Sequence, residues 1–180
     1  RSVAEVPDHC PAEATGEGRD SNETPHIENF EAGLVPLGIA PEFIRQSKAY
    51  RAGRYAEGIR RALECRDVIR KALDEFRTEP LPEDWLPLAG FCGGCGRDAV
   101  DFVWDGDWQV EMTCRDCGHT TCVDLSEGGN VKLPWRIYWT MRWAYESVCY
   151  DPGGKDHSSA GGSYDTASGI VGRVYAGWAP

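Results

Sequence analysis

Two groups of residues in this 180-residue chain have types and spacings suited to chemistry. The first lies between Lys132 and Asp165. It holds three tryptophans, two arginines, a Gly-Lys-Asp-His turn and a Gly-Gly-Ser-Tyr-Asp loop within 34 residues. Such a mixture is costly in a plain core, because each buried charge or indole N–H needs a partner. A polar small-molecule pocket needs that mixture. Gly154 and Asp156 form a Gly-x-Asp turn that would let the backbone approach a nucleotide while the carboxylate accepts hydrogen bonds from ribose hydroxyls. Taken alone, that short pattern reads equally as a loop. Trp135, Trp139 and Trp143 recur at i, i+4 and i+8, which for the latter two favours ordinary helical packing. Ser163 and Asp165 could cap a helix over 166–175 as readily as touch a ligand.

The second group is a cysteine quartet. Cys92-Gly-Gly-Cys95 and Cys114-Arg-Asp-Cys117 are 18 residues apart, a spacing expected of a four-thiolate zinc site. A glycine follows each pair (Gly96 and Gly118), where tight turns let backbone amides point at sulfurs. Between the pairs, 99–104 and 108–112 read as strands joined at Asp105-Gly106, with Trp108, Val110 and Met112 alternating as in a half-buried strand. The pattern predicts a zinc ribbon holding a closed, tetrahedral, structural Zn2+. Such a site supplies roughly 10–16 kcal/mol at neutral pH. Two disulfides are the competing reading, and nothing in the sequence calls for an oxidising compartment. His119 could replace one thiolate, but a histidine there is common in ribbon knuckles. Cys10, Cys65, Cys122 and Cys149 have no partner pattern and read as loop or packing residues.

The elements that must position these groups are legible in outline. Residues 1–23 read as a loop. Thr24-Pro25 starts a helix, with Ile27, Phe30, Leu34 and Leu37 at helical spacing before Gly38. A short strand is expected over 42–45. One long helix is expected over 55–77, with Ile59, Ala62, Ile69, Leu73 and Phe76 on one face. Three prolines between Glu79 and Pro87 mark a boundary. Ser147 to Gly153 reads as a buried strand ending in a Gly-rich turn, where ligands bind in open α/β sheets. Hydrophobic residues make up 41% of the chain, with seven tryptophans, enough for a globular core. A net charge of −10 argues against broad nucleic-acid binding; the arginines of 45–77 alternate with acids and read first as a solvated face. No apolar run nears the roughly 20 residues of a membrane span. Arg1-Ser2-Val3 begins no signal peptide and supplies no initiator methionine, so a processed or excised segment is expected.

The order Trp135-Arg136-Ile137-Tyr138-Trp139, Gly154-Lys155-Asp156-His157 and Gly161-Gly162-Ser163-Tyr164-Asp165 resembles the catalytic domain of class I lysyl-tRNA synthetases. There, Trp-Arg-x-Asp-Trp-Pro-x-Arg-Trp precedes Gly-Lys-Asp-His and Gly-Gly-Ser-Tyr-Asp. Segments before the cysteines, such as Leu-Gly-Ile and Phe-Ile-Arg-Gln-Ser, are similar to the family too. The resemblance implies an α/β, partial Rossmann-type nucleotide-binding fold with an inserted zinc ribbon. The implied division is a helix–strand–helix part over 1–87, the ribbon over 88–128, and the second half of the Rossmann-type fold over 129–180. It also implies an amino-acid pocket shaped by Trp135, Tyr138 and His157, with Gly154 and Asp156 on the nucleotide side. An indole face at Trp135 suits lysine, whose stem packs on the ring while the ammonium gains cation–π energy. Tyr138 stands where the family carries Asp, and Thr140 where it carries Pro. Losing an acid beside a cationic substrate changes specificity if that acid pairs with lysine, and is a repacking if it is structural.

The implied activity is ATP-dependent activation of lysine and its transfer to tRNA, with Mg2+ accompanying ATP, in a cytoplasmic protein with no membrane partner. Two family motifs, His-x-Gly-His and Lys-Met-Ser-Lys-Ser, are not in the sequence, so this chain alone is expected not to activate lysine, and a completing protein chain is an expected partner. Two further readings stand beside this one. One is a truncated paralogue that activates or binds an amino acid in a tRNA-independent pathway; the other is a non-catalytic protein whose zinc ribbon is its interaction surface.

Overall fold

A computed structural model describes residues 24–180. The loop expected over 1–23 and the cap expected of the Thr24 side chain lie outside what is described. Helix α1 (Thr24–Leu34) is followed by a 3-10 turn, Val35–Leu37, which Gly38 ends with a left-handed φ of 69°. The helical spacing here sets a shared side but not burial: Ile27 and Leu34 are half-buried, whereas Phe30 and Leu37 stay exposed. The strand expected over 42–45 does not form. That stretch is irregular, and the Arg45 carbonyl instead accepts the Ala49 N–H at the start of α2 (Gln46–Arg51).

The long helix expected over 55–77 is two helices. α3 (Ala56–Glu64) and α4 (Arg66–Asp74) are separated by Cys65 at φ −99°, ψ 17°. The two have different partners, α3 packing on the segment after the cysteines and α4 on the C-terminal helix. Ile59, Ala62 and Ile69 are buried as their spacing predicts; Leu73 is half-buried and Phe76 exposed.

Beyond the prolines, β1 (Ala89–Gly90) pairs antiparallel with β5 (Val131–Lys132), forming the neck of the cysteine-bearing module. Inside it, β2 (Val100–Trp104), β3 (Gln109–Cys114) and β4 (Thr120–Asp124) form an antiparallel sheet in the order β2-β3-β4. The hairpin turns at the expected place, with Gly106 at φ 98° and the Asp105 carboxylate accepting the Asp107 and Gln109 N–H groups at 2.8 and 3.2 Å. Val110 and Met112 are buried and Trp108 half-buried. The third strand, β4, carries no alternation strong enough to read from sequence.

The C-terminal part is helical: α5 (Trp135–Tyr145), the single turn α6 (Lys155–Ser158) and α7 (Ser163–Val174), with α7 packed on α5 and α4. The strand expected over 147–153 does not form. The Val148 N–H donates to the Trp143 carbonyl as α5 ends, the Val148 carbonyl accepts the Trp178 indole N–H, and Ser147 adopts φ 52°. Backbone groups spent that way cannot join a ladder. The described residues therefore combine helices with two antiparallel sheets and contain no parallel strand pair. One hydrophobic core runs through most of them, joining Ile59 and Leu63 of α3, Val110 and Met112 of β3, Leu125, Ile137 of α5 and Ile170 of α7. No described helix is long and apolar enough to cross a membrane.

Candidate functional site

Helix α5 starts directly after Pro134, whose extended backbone (φ −57°, ψ 150°) and carbonyl launch the helix by accepting the Ile137 and Tyr138 N–H groups. Its tryptophans recur every four residues and therefore stack along one side. Their exposure falls from 37% at Trp135 to 7% at Trp139 and 2% at Trp143, so the stripe runs from solvent into the core. Trp135 and Trp139 are stacked at 4.9 Å and 17°, and Trp139 meets Trp143 at 4.8 Å. The packing expected of Trp139 and Trp143 is realised, in a small cluster with Ala167 and Val171 of α7.

His157 comes to the stripe from α6. Its ring lies 5.9 Å from Trp135 and 5.8 Å from Trp139, and its Nδ1 is 3.4 Å from the Ser163 hydroxyl. Ser163 is buried just after Gly162, the N-cap of α7. The Asp165 carboxylate accepts the Gly161 N–H at 2.7 Å, which folds the glycine loop back on itself. Tyr138 meets the edge of Trp135 at 5.5 Å and 75° while packing against the main core. Thr140 is fully buried, its hydroxyl donating to the Ile137 carbonyl at 2.7 Å. Trp135, Tyr138 and His157 thus come together. Gly154 and Asp156 do not join them; they sit exposed at the start of α6, where Gly154 is the extended N-cap.

Two residues of this wall escaped the sequence reading. One oxygen of Asp151, Oδ2, accepts both the Trp139 and the Trp143 indole N–H, at 2.6 and 2.7 Å. The Tyr164 hydroxyl donates to the Asp151 backbone carbonyl, and the Tyr164 ring stands 5.0 Å from Trp139 and 5.5 Å from Trp143. Burial, and after it the neighbouring Asp151 charge, raise the Tyr164 phenol. A β-carbon on Gly153 would fall inside van der Waals contact with the Tyr164 ring. A count of indole donors would have flagged the need: an indole N–H can only donate, so two buried ones demand a nearby acceptor.

The four cysteine sulfurs form the second site. All lie within 4.8 Å of one another, with Cys92 to Cys117 at 3.5 Å and Cys95 to Cys114 at 3.7 Å. Sulfurs about 2.3 Å from a tetrahedral ion stand about 3.8 Å apart, whereas a disulfide needs about 2.05 Å. All four are free thiols whose spacing could hold a metal ion. The two knuckles match: Gly96 donates to the Cys92 carbonyl and Gly118 to the Cys114 carbonyl, both at 2.9 Å and with φ near 73° and 72°. The Gly94 N–H points at the Cys92 sulfur at 3.3 Å. Backbone N–H groups, that of Cys95 first, hold the Cys92 thiol down to about 6. The His119 N–H pulls Cys117 down too, but hydrogen bonding with Cys92 and Cys95 outweighs it and pushes that thiol up to about 12. A cation held by all four sulfurs would displace the remaining thiol protons. His119 is exposed beside Gly94 and outside the quartet.

The module is docked against the helices at its base. The Arg60 guanidinium of α3 lies 4.8 Å over the Trp108 ring, and Asp107 stands 3.6 Å from it. At the exit, Gly128 adopts φ 85° so close to Arg51 and Gly53 that a β-carbon would collide with their backbone.

Comparison with known proteins identifies the company these residues keep. The model of the family "tRNA synthetases class I (K)" matches residues 3–180. The chain is similar to the lysine–tRNA ligase of Borreliella burgdorferi, with 44% identity over 152 residues, 84% of this chain and 29% of that protein. The lysine–tRNA ligase of Pyrococcus furiosus is 39% identical over 182 residues, 99% of this chain and 33% of its own length. Lysine–tRNA ligase 1 of Methanosarcina acetivorans is 40% identical over 179 residues, covering 97% and 32%. The chain spans about a third of the length of the curated relatives it matches. Since the family match runs through both the aromatic wall and the cysteine quartet, the chain belongs to the class I (K) tRNA synthetases.

Proposed function

We propose that this chain supplies the amino-acid side of a lysine-activating site, together with an inserted zinc ribbon that braces it. The observation that carries the reading is the half-exposed Trp135 face, stacked on Trp139 and flanked by His157. A lysine stem gains apolar contact on such a face and its ammonium gains roughly 0.5–2 kcal/mol of cation–π energy. The lysine–tRNA ligase relatives support lysine as the amino acid, and tRNA and ATP with Mg2+ as the other substrates of the whole enzyme. In that reaction a lysine carboxylate oxygen attacks the α-phosphorus of ATP and pyrophosphate leaves.

What this chain contributes is position. Trp135 and His157 hold the amino acid, Tyr138 sets the edge of Trp135, and the Gly154–Asp156 turn accepts the nucleotide. The contact of its ring with both Trp135 and the core supports reading Tyr138 as a repacking rather than a change of specificity. The quartet Cys92, Cys95, Cys114 and Cys117 holds Zn2+ within the 88–128 insertion, between the helical 1–87 part and the pocket-bearing 129–180 part of a Rossmann-type catalytic domain completed by other segments. The setting is cytoplasmic.

Calorimetric titration of the chain with lysine tests the pocket, and ATP–pyrophosphate exchange tests the chemistry. Lysine should bind, and Trp135→Ala should weaken it about tenfold, the upper part of the cation–π range. The chain alone should give no exchange. Equal lysine affinity in the variant would sink the pocket reading; lysine-dependent exchange would make this chain a complete activating unit.

A further inference from the structure

The amino-acid wall is only as fixed as its deepest ring. Trp135 leans on Trp139, His157 touches both, and Trp139 leans on Trp143. Both deeper indoles give their N–H to one carboxylate oxygen of Asp151, a residue in irregular chain between α5 and α6. The backbone carbonyl of the same residue accepts the Tyr164 hydroxyl from α7. Three aromatic rings from two helices are therefore referenced to a single residue. Two indole donors deprived of a partner while buried would turn about their side-chain bonds to find one, and the stack above would move with them.

We propose that Asp151 is a positioning residue for amino-acid binding, setting the orientation of Trp139 and Trp143 and, through Trp139, of Trp135 and His157. The inference rests on the amino-acid-pocket reading above, and it adds a residue that does not itself meet the ligand. Acceptance is what the position requires. An amide oxygen has two lone pairs and can take both indoles, so Asp151→Asn keeps the function and Asp151→Ala loses it.

The seven tryptophans give seven indole N–H signals in a nitrogen–proton correlation spectrum of this chain, and lysine affinity is read by calorimetry on the same samples. In Asp151→Asn, the two signals that Trp139→Phe and Trp143→Phe assign should move while staying slow to exchange with water, and lysine affinity should stay within about threefold of the parent. In Asp151→Ala those two signals should exchange fast, the near-ultraviolet circular dichroism of the stacked rings should fall, and lysine affinity should drop about tenfold or more.

The idea fails if neither indole signal moves in Asp151→Asn. It fails also if Asp151→Asn loses lysine as completely as Asp151→Ala with its ring spectrum intact, which would put the carboxylate on the ligand itself. Should Asp151→Ala not fold, Asp151→Asn still decides the idea: unmoved indole signals, or lysine binding lost with the ring spectrum intact, overturn it. A parent chain that binds no lysine sinks the pocket reading, while the indole signals still report whether Asp151 orients the rings.

Discussion

At Gly153 the backbone lies under a ring. The Tyr164 side chain packs where a β-carbon would project, while the next residue, Gly154, has open space around it. The two neighbours make a matched pair for testing how tightly the wall is built. Gly153→Ala should destabilise the chain by about 1–3 kcal/mol, the usual cost of overpacking, and Gly154→Ala should stay within about 0.5 kcal/mol. Thermal unfolding of the two variants checks this; equal shifts would mean the Tyr164 ring simply swings aside. The residue scale also shows what sequence can and cannot deliver. Trp135 and His157 could be singled out from the sequence because their motifs resemble a family, and they do meet in the fold. Asp151 was not, because its role depends on two indoles eight and twelve positions earlier arriving at one oxygen, a convergence that no local pattern encodes.

Between elements, the exit turn after β4 meets the turn between α2 and α3 backbone to backbone. Gly128 at φ 85° faces the Arg51 carbonyl and the Gly53 amide, and a β-carbon on Gly53 would in turn sit 2.9 Å from the Ser126 carbonyl. Backbone meets backbone there, so neither side can give. Gly128→Ala combines a left-handed backbone with a collision and should cost more than Gly153→Ala, about 2–4 kcal/mol. Denaturant titration measures it, and a loss below about 1 kcal/mol would show that the turn yields. The hairpin β2–β3 was readable from alternation and the Asp105-Gly106 turn. The strands expected over 42–45 and 147–153 were misread because an apolar run reports burial without naming the partner. At Cys65 the regular apolar face of 55–77 hid a break, since periodicity survives a change of direction.

Across the whole molecule, the cysteine module and the helices share one core. Val110, Met112 and Leu125 are buried in the same cluster as Ile59, Ile137 and Ile170, and Arg60 reaches across to Trp108. Removing metal should therefore not melt the module in isolation. With a strong chelator, thermal unfolding followed at the α5 tryptophans should shift down by several degrees in one transition. A module that melts first, leaving the tryptophan transition where it was, would contradict this. Cys92→Ser should reproduce the chelator's effect and bind less metal by elemental analysis. This unity was not visible in the sequence, where the composition changes so sharply after Pro87 that the parts look separable.

Among the described residues the sheet order β2-β3-β4 leaves two strands with one open side each, and unpaired strand edges invite other chains to add on. Each edge carries an acid: Asp101 in β2, exposed, and Asp124 at the end of β4. Hydrogen bonds from the Ser126 side chain and amide hold Asp124 below the usual carboxylate range, so it keeps its charge as pH falls. Asp101 stands 3.6 Å from the Arg115 guanidinium, so one edge carries an ion pair and the other a hydrogen-bonded acid. The strands that carry the cysteine quartet thus also bear, along their open sides, charges of the kind that disfavour strand addition by a second copy.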